Sequence, residues 1–284
     1  MPKRVLKKAK EKAEWLSTEV LVKLALMFFA VQTLGLYVAQ QLFLMGLAQP
    51  QYGLEINNVG NAFYLFGSIL VMTAVILILL KFRRTKKALW FLEAMAIFST
   101  CIIVLSVFFP TNDYIVLGVT ALILLWRYTH LQSILFRDFV SLIAVSGAGA
   151  YIGISFGLVP ILAFIIILAI YDIIAVFYTK HMVTIGKEAT SNNYAFTVAI
   201  PTKEHKFELG NGDLVIPLAV ASSVLVNGSF VNNGLIAGLC LGVSFIGLAT
   251  SIYMVSKKKI PMPALPPQTL LMIIVIVGAL LLGL

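Results

Sequence analysis

The stretch FELGNGDLVIP, residues 207–217, places an aspartate, Asp213, at the start of a long apolar run. A charged carboxylate near lipid is costly, so such groups face protein or water and commonly mark a functional site. The best partner for it is Asp172, which lies inside the preceding apolar run. The two acids therefore predict a functional site, provided that the runs around them cross a membrane.

The composition is that of an integral membrane protein. Of the 284 residues, 60% are hydrophobic and 12% are charged, against about 45–50% apolar and 25% charged in soluble domains. The apolar runs are continuous rather than alternating, which favours helices over a β-barrel. The net charge of +9 comes from Lys and Arg clusters between the runs. Such clusters are typical of membrane orientation, so we expect no nucleic-acid partner.

Nine apolar runs approach the length of about 20 residues that a membrane-spanning helix needs. They cover residues 18–46, 62–80, 89–109, 114–130, 139–158, 160–179, 213–231, 234–255 and 267–284. Basic residues fill alternate connections and are missing from 47–61, 110–113 and 228–233. By the positive-inside rule, the N-terminus is cytoplasmic and the C-terminus extracytoplasmic. The sequence predicts an all-α bundle of nine transmembrane helices.

The spans divide the chain into three parts. Residues 1–17 form a charged, amphipathic cytoplasmic lead-in, 18–158 an N-terminal bundle of helices one to five, and 159–284 a part with helices six to nine. The long cytoplasmic loop 180–212 contains YAFTVAI, residues 194–200, which is either a β-strand at the membrane surface or a partly ordered linker.

Glycines recur at helical spacing in two of the spans and predict close helix packing there. They are Gly149, Gly153 and Gly157 in the fifth span and Gly234, Gly238 and Gly242 in the eighth.

The candidate acids differ in their predicted depth in the membrane. Asp172 precedes Lys180 by eight residues, about 12 Å along a helix, and Asp213 follows the interfacial Glu208 by five. Antiparallel neighbours would thus carry both aspartates at similar depth. Glu93 lies four residues into the third span, from which we expect its carboxylate to reach the interface. The structural alternatives are polar packing for Asp172 and a helix N-cap for Asp213.

Two carboxylates held close together share one proton and titrate as a pair. Such a pair suits peptide hydrolysis, because one carboxylate activates water while the other polarises the carbonyl, with no metal and no covalent intermediate. Gly210 and Gly212 would let a substrate backbone approach closely and would permit unusual dihedrals. The segment PMPALPPQ, residues 261–268, is either extended, with Ala264 and Leu265 inserted beside spans six and seven, or a helix start.

Three motifs occur in a fixed order along these spans. They are Tyr171-Asp172 in span six, Gly210-Asn211-Gly212-Asp213 opening span seven, and Pro263-Ala264-Leu265-Pro266 before span nine. Together they resemble the presenilin and signal-peptide-peptidase intramembrane aspartyl proteases of the GxGD type. The resemblance implies that Asp172 and Asp213 are the catalytic dyad and that Gly210, Asn211 and Gly212 form the active-site turn. It also implies that Tyr171 and the residues of PALP shape the site.

The cytoplasmic N-terminus and the PALP sequence resemble presenilin. This resemblance implies single-span membrane substrates whose N-terminus faces outside. The resemblance also implies no cofactor and no obligate partner subunit, with a homo-oligomer still open. The compact chain looks like the prokaryotic, archaeal members, which implies a multi-pass protein of the cell membrane. Asn211 departs from the family, which more often has an apolar residue there, and bears on substrate preference.

Two alternative functions would use the same intramembrane acids. A transporter or channel would relay protons or bind a cation at the intramembrane acids, although no inverted repeat is present in the sequence. A non-catalytic relative would bind membrane helices without cleaving them.

Overall fold

The computed structural model describes residues 18–49, 53–81, 85–131, 133–179, 185–186, 191–201, 206–258 and 261–284. The predicted lead-in 1–17 and much of the predicted loop 180–212 lie outside these residues.

Nine α-helices of 16 residues or more occur in the described part of the chain, and each overlaps one predicted run. They are α1 (Thr18–Leu44), α2 (Gly60–Lys81), α3 (Thr85–Phe108), α4 (Asp113–Thr129), α5 (Ile134–Ser155), α6 (Leu158–Ile173), α7 (Gly212–Asn227), α8 (Asn233–Lys258) and α9 (Leu265–Leu282). Seven of them are long and apolar enough to cross a membrane, and α7 is a shorter apolar helix. The crossings by α4 and α7 stay predictions.

The fifth and sixth helices differ most from the predicted runs. Helix α5 begins five residues early, at Ile134, because the side chain of Ser133 caps it and because two charged residues in its first turns are buried. The regular part of α6 ends at Ile173 and continues as a π-helical turn, Ile174–Tyr178. That turn lies directly after Asp172.

A β-hairpin leads into α7. Strand β1 (Thr197–Pro201) pairs antiparallel with β2 (Lys206–Gly210), with Thr197 opposite Gly210. The strand prediction for residues 194–200 is thus confirmed for its second half, while β2 was not predicted. Because β2 ends at Gly210, the GxGD turn joins a strand directly to a helix.

Small residues allow α5 to pack closely against α7. A Cβ atom on Gly153 would lie 2.3 Å from Ser222 Cβ and 2.6 Å from the carbonyl oxygen of Ala219. A Cβ on Gly149 would lie 2.7 Å from the side chain of Leu218. The glycine prediction is therefore confirmed for Gly149 and Gly153, while Gly157 lies beyond the end of α5, at the start of α6.

The glycine prediction is wrong for α8. A Cβ atom on Gly238 or Gly242 would meet nothing within 4 Å. The close approach of α8 to its neighbour α9 occurs instead at Gly247, whose Cβ would lie 2.7 Å from the backbone nitrogen of Gln268.

Replacing Gly153 by alanine is expected to destabilise the protein. The added methyl group overlaps the backbone of α7, and overpacking of this kind costs about 1–3 kcal/mol. The matched control is Gly242→Ala, which should be neutral or stabilising by up to about 1 kcal/mol because alanine favours a helix. Thermal unfolding in detergent measures both variants. Equal melting temperatures would contradict the packing argument.

Candidate active site

A cavity of about 590 Å³ contains both candidate aspartates. Its lining comes from α6 and its π-helical turn, residues 186 and 191, the hairpin, the start of α7, and the segment that leads into the first residue of α9. The lining residues are Asp172, Val176, Gly186, Ser191, Thr197, Glu208, Gly210, Gly212, Asp213, Met262, Pro263, Ala264 and Leu265. The structure therefore brings the three sequence motifs to one place.

Asp172 lies near the end of α6 and is buried, with 8% of its surface exposed. Its Oδ2 atom accepts a hydrogen bond from the backbone N–H of Leu265 at 3.3 Å. The PALP segment is thus attached to this aspartate and orients its carboxylate. The neighbouring Tyr171 does not line the cavity but packs edge-on against Phe66 of α2, with ring centroids 5.5 Å apart.

The proline segment combines both predicted conformations. Residues 261–264 lie outside helices, and α9 begins at Leu265 with prolines in its first turn. Proline is tolerated there because its missing N–H would have no partner within the helix. Pro263 and Leu265 are buried while Ala264 is half-buried, so the segment forms part of the cavity wall.

Asp213 lies in the first turn of α7, and the residue at the N-cap position is Asn211, whose side chain makes no capping hydrogen bond. The N-cap alternative for Asp213 is therefore wrong. A Cβ atom on Gly210 would lie 3.6 Å from Asp213 Oδ2, while one on Gly212 would meet nothing within 4 Å. Neither glycine has a positive φ, so the prediction of unusual dihedrals is wrong in that respect. Gly212 instead leaves open space for a substrate backbone beside the carboxylate.

Asn211 ties the turn to the chain just before β1. Its backbone N–H donates to the carbonyl of Phe196 at 3.1 Å, and its Nδ2 donates to the carbonyl of Ala195 at 2.9 Å. An apolar residue could not make the second of these bonds. Asn211 is not among the residues that line the cavity, so its observed contacts fix the turn.

A buried ion pair contacts Ala195, the residue to which the Asn211 side chain is bonded. Arg127 of α4 and Glu93 of α3 are 1% and 2% exposed, with Nη2 and Oε1 3.0 Å apart. Glu93 Oε1 also accepts the N–H of Ala195 at 3.1 Å. The prediction that Glu93 reaches the interface is therefore wrong, because the segment that leads to β1 covers it.

Glu208 and Thr197 line the cavity but were not predicted as site residues. Glu208 was interpreted as an interfacial acid, yet its side chain is only 11% exposed and pairs with Arg137 of α5. The sequence gives no signal for this pair, because Arg137 precedes the predicted fifth span and is typical of the basic residues of a connection. The described residues contain no group of three or more His, Cys, Asp or Glu side chains arranged to hold a metal ion.

Comparison with known proteins gives a family and a fold. A model of the family described as "Signal-peptide peptidase, presenilin aspartyl protease" matches residues 25–209, well over half of the chain. The match includes Asp172 and ends just before Gly210. A search of curated proteins gives no match.

Two solved structures resemble this fold along almost their whole length. Both are described as a presenilin family intramembrane aspartate protease, one in a C222 and one in a P2 space group. The first is 23% identical and has a TM-score of 0.68, with 92% of this chain and 99% of the other covered. The second is 23% identical with a TM-score of 0.66, at 95% and 99% coverage.

Proposed function

Because the chain belongs to the signal-peptide peptidase and presenilin family of aspartyl proteases, we propose that Asp172 and Asp213 are its catalytic pair. The chain is an intramembrane aspartic endopeptidase and a multi-pass membrane protein. The observation that carries the proposed pair is the shared cavity of about 590 Å³, which both aspartates line together with the PALP segment.

The pair would activate water directly. Two neighbouring carboxylates retain one proton between them, because both cannot ionise cheaply at short range. The ionised aspartate takes a proton from water, and the protonated aspartate donates a hydrogen bond to the scissile carbonyl. The roles reverse when the tetrahedral intermediate collapses and the amine leaves with a proton. Burial of Asp172 and its bond to the Leu265 amide hold one member of the pair in place.

The PALP segment and the glycine turn would admit the substrate. Pro263 and Ala264 line the cavity with the two aspartates, and a Cβ atom on Gly212 would meet nothing within 4 Å. A peptide bond becomes accessible to the pair only after a substrate helix unwinds locally, since helical backbone groups are bonded to each other. The open space at Gly212 would let the backbone of an unwound strand approach the carboxylates.

The proposed topology sets the substrate class. Nine spans with the N-terminus inside and the C-terminus outside follow from the basic residues in alternate connections. In this orientation the site suits single-span membrane proteins whose N-terminus faces outside, in the cell membrane of a prokaryote. No partner subunit is needed in this proposal.

Cleavage by the purified protein tests the proposed function. The full chain in detergent is mixed with a fluorescent single-span peptide, and mass spectrometry identifies the products. We expect two fragments with ends inside the apolar segment. Intact substrate after long incubation, with proton or cation flux through vesicles that contain the protein, would favour a transporter. Binding without fragments would indicate a non-catalytic relative.

A further inference from the structure

A third carboxylate, that of Glu208, lines the cavity with Asp172 and Asp213. Glu208 lies on β2, only a few residues before the GxGD turn. Its Oε1 atom accepts a hydrogen bond from Arg137 Nη1 at 3.3 Å, and its Oε2 atom accepts one from the hydroxyl of Thr197. Both oxygens are thus engaged, so the wall contains an acid whose charge is matched by a buried arginine.

Arg137 is fixed from several sides and is 1% exposed. Its Nε and Nη2 atoms donate to Asp138 Oδ1 at 3.1 and 2.9 Å, and its Nη1 atom donates to Asn193 Oδ1 at 3.1 Å. Asp138 Oδ1 accepts the backbone N–H of Ala199 on β1 at 3.1 Å. The arginine therefore connects α5 to β2 directly and to β1 through Asp138.

The Arg127 pair offers a comparison within the same fold. Arg127 is equally buried and pairs with Glu93, yet neither residue lines the cavity. The Nη2 atom of Arg127 donates to the backbone carbonyl of Asn193. The side-chain Oδ1 atom of the same asparagine accepts a hydrogen bond from Arg137. Asn193 has φ of 56°, a left-handed conformation that asparagine tolerates better than most residues. Both arginines support the same segment, but only Arg137 contacts an acid of the cavity.

We propose that Arg137 is a positioning residue for the aspartate pair. It holds β2, and through that strand the turn that carries Asp213, and its positive charge offsets that of Glu208 in the cavity wall while it also pairs with Asp138. The inference rests on the proposed function and adds a specific electrostatic role for a residue on α5.

The charges around the aspartate pair determine the direction in which the pH profile of cleavage moves. The described charged groups around Glu208 are Arg137 and Asp138 of α5, Asp172 of α6 and Asp213 of α7. An aspartate pair that works with one shared proton is active between its two ionisations, and added negative charge moves both ionisations to higher pH. Loss of the Arg137 charge should therefore move the activity profile to higher pH. Loss of the Glu208 charge should move it to lower pH.

The test compares cleavage against pH for Arg137→Gln, Glu208→Gln and the double variant. We expect opposite shifts on the order of one pH unit in the two single variants. The double variant restores the charge balance and should return to the wild-type profile. Arg137→Gln should also lower kcat on the order of tenfold to a hundredfold, because the turn that carries Asp213 is displaced.

The matched control is Arg127→Gln, which should lower the melting temperature without moving the pH profile. An unshifted profile for Arg137→Gln, a double variant that stays shifted, or an equal shift in Arg127→Gln would overturn the inference. If Arg137→Gln fails to fold, the double variant compared with Glu208→Gln measures the same charge effect. If the wild type cleaves, Asp172→Asn and Asp213→Asn do not, and Arg137→Gln has an unshifted pH profile, this inference alone is overturned. A wild type that never cleaves would overturn the proposed function and the inference with it.

Discussion

Asp172→Asn and Asp213→Asn are each expected to abolish cleavage. Asparagine keeps the size of the side chain but can neither take a proton from water nor share one with the remaining aspartate. General acid–base catalysis contributes about 10²–10⁴-fold to a rate, and either substitution removes the pair as a unit. Asp172→Asn retains an oxygen that can accept the N–H of Leu265, so the PALP segment should stay attached. Single-turnover cleavage of the fluorescent substrate measures the loss.

The control for these variants is Asp113→Asn. Asp113 lies in the first turn of α4, is exposed and does not line the cavity, so wild-type cleavage is expected. Unfolding temperatures near that of the wild type establish that the inactive variants are folded. Wild-type rates in either cavity variant would remove that aspartate from the proposed pair.

The two aspartates could be identified from the sequence because ionisable groups inside apolar runs are rare. Their depths were estimated from helical rise and from the position of basic residues, and the structure places both on one cavity. The spans could also be recognised from the sequence, because a long apolar run in lipid can satisfy its backbone hydrogen bonds in few ways other than a helix. Membrane chemistry thus restricts this chain more strongly than local propensity would restrict a soluble one.

The partners of the other buried charges could not be predicted. Arg137 and Glu208 are separated by 71 positions, and Arg127 and Glu93 by 34. Charge patterns assigned all four to the membrane edge, where long side chains reach water. The residues around Asn193 cover these side chains instead, so the side chains lie inside the protein. Only the folded position of that segment decides between the two outcomes.

Glycine spacing gave the correct interface for α5 and the wrong one for α8. In both helices the small residues recur at the same interval, yet Gly153 lies against α7 while Gly242 faces open space. Spacing defines a face of a helix but not what packs on it. Gly247, which lies outside the regular series, is the glycine of α8 that packs against the backbone of α9.

Gly247→Ala is expected to lower cleavage strongly by displacing the start of α9. The added Cβ would lie 2.7 Å from the nitrogen and 2.8 Å from the Cα of Gln268, and 2.9 Å from the carbonyl carbon of Pro267. These are backbone atoms, so the first turn of α9 must move as a unit. The N–H of Leu265 in that turn donates to Asp172 at 3.3 Å, close to the limit of a hydrogen bond. A displacement of a few tenths of an ångström breaks this contact, and a misplacement of about 1 Å at an active site can cost about a hundredfold in rate.

Gly238→Ala on the same helix provides the matched control, because its Cβ would meet no atom within 4 Å. It should cleave at the wild-type rate and unfold at or slightly above the wild-type temperature. The informative comparison is kcat for the two alanine variants at a temperature where both are folded. A Gly247→Ala protein with wild-type kcat would mean that the site tolerates movement of PALP, and that the Leu265 contact does not orient Asp172. A lower kcat in Gly247→Ala alone would connect the helix contact to the aspartate through the backbone of residues 265–268.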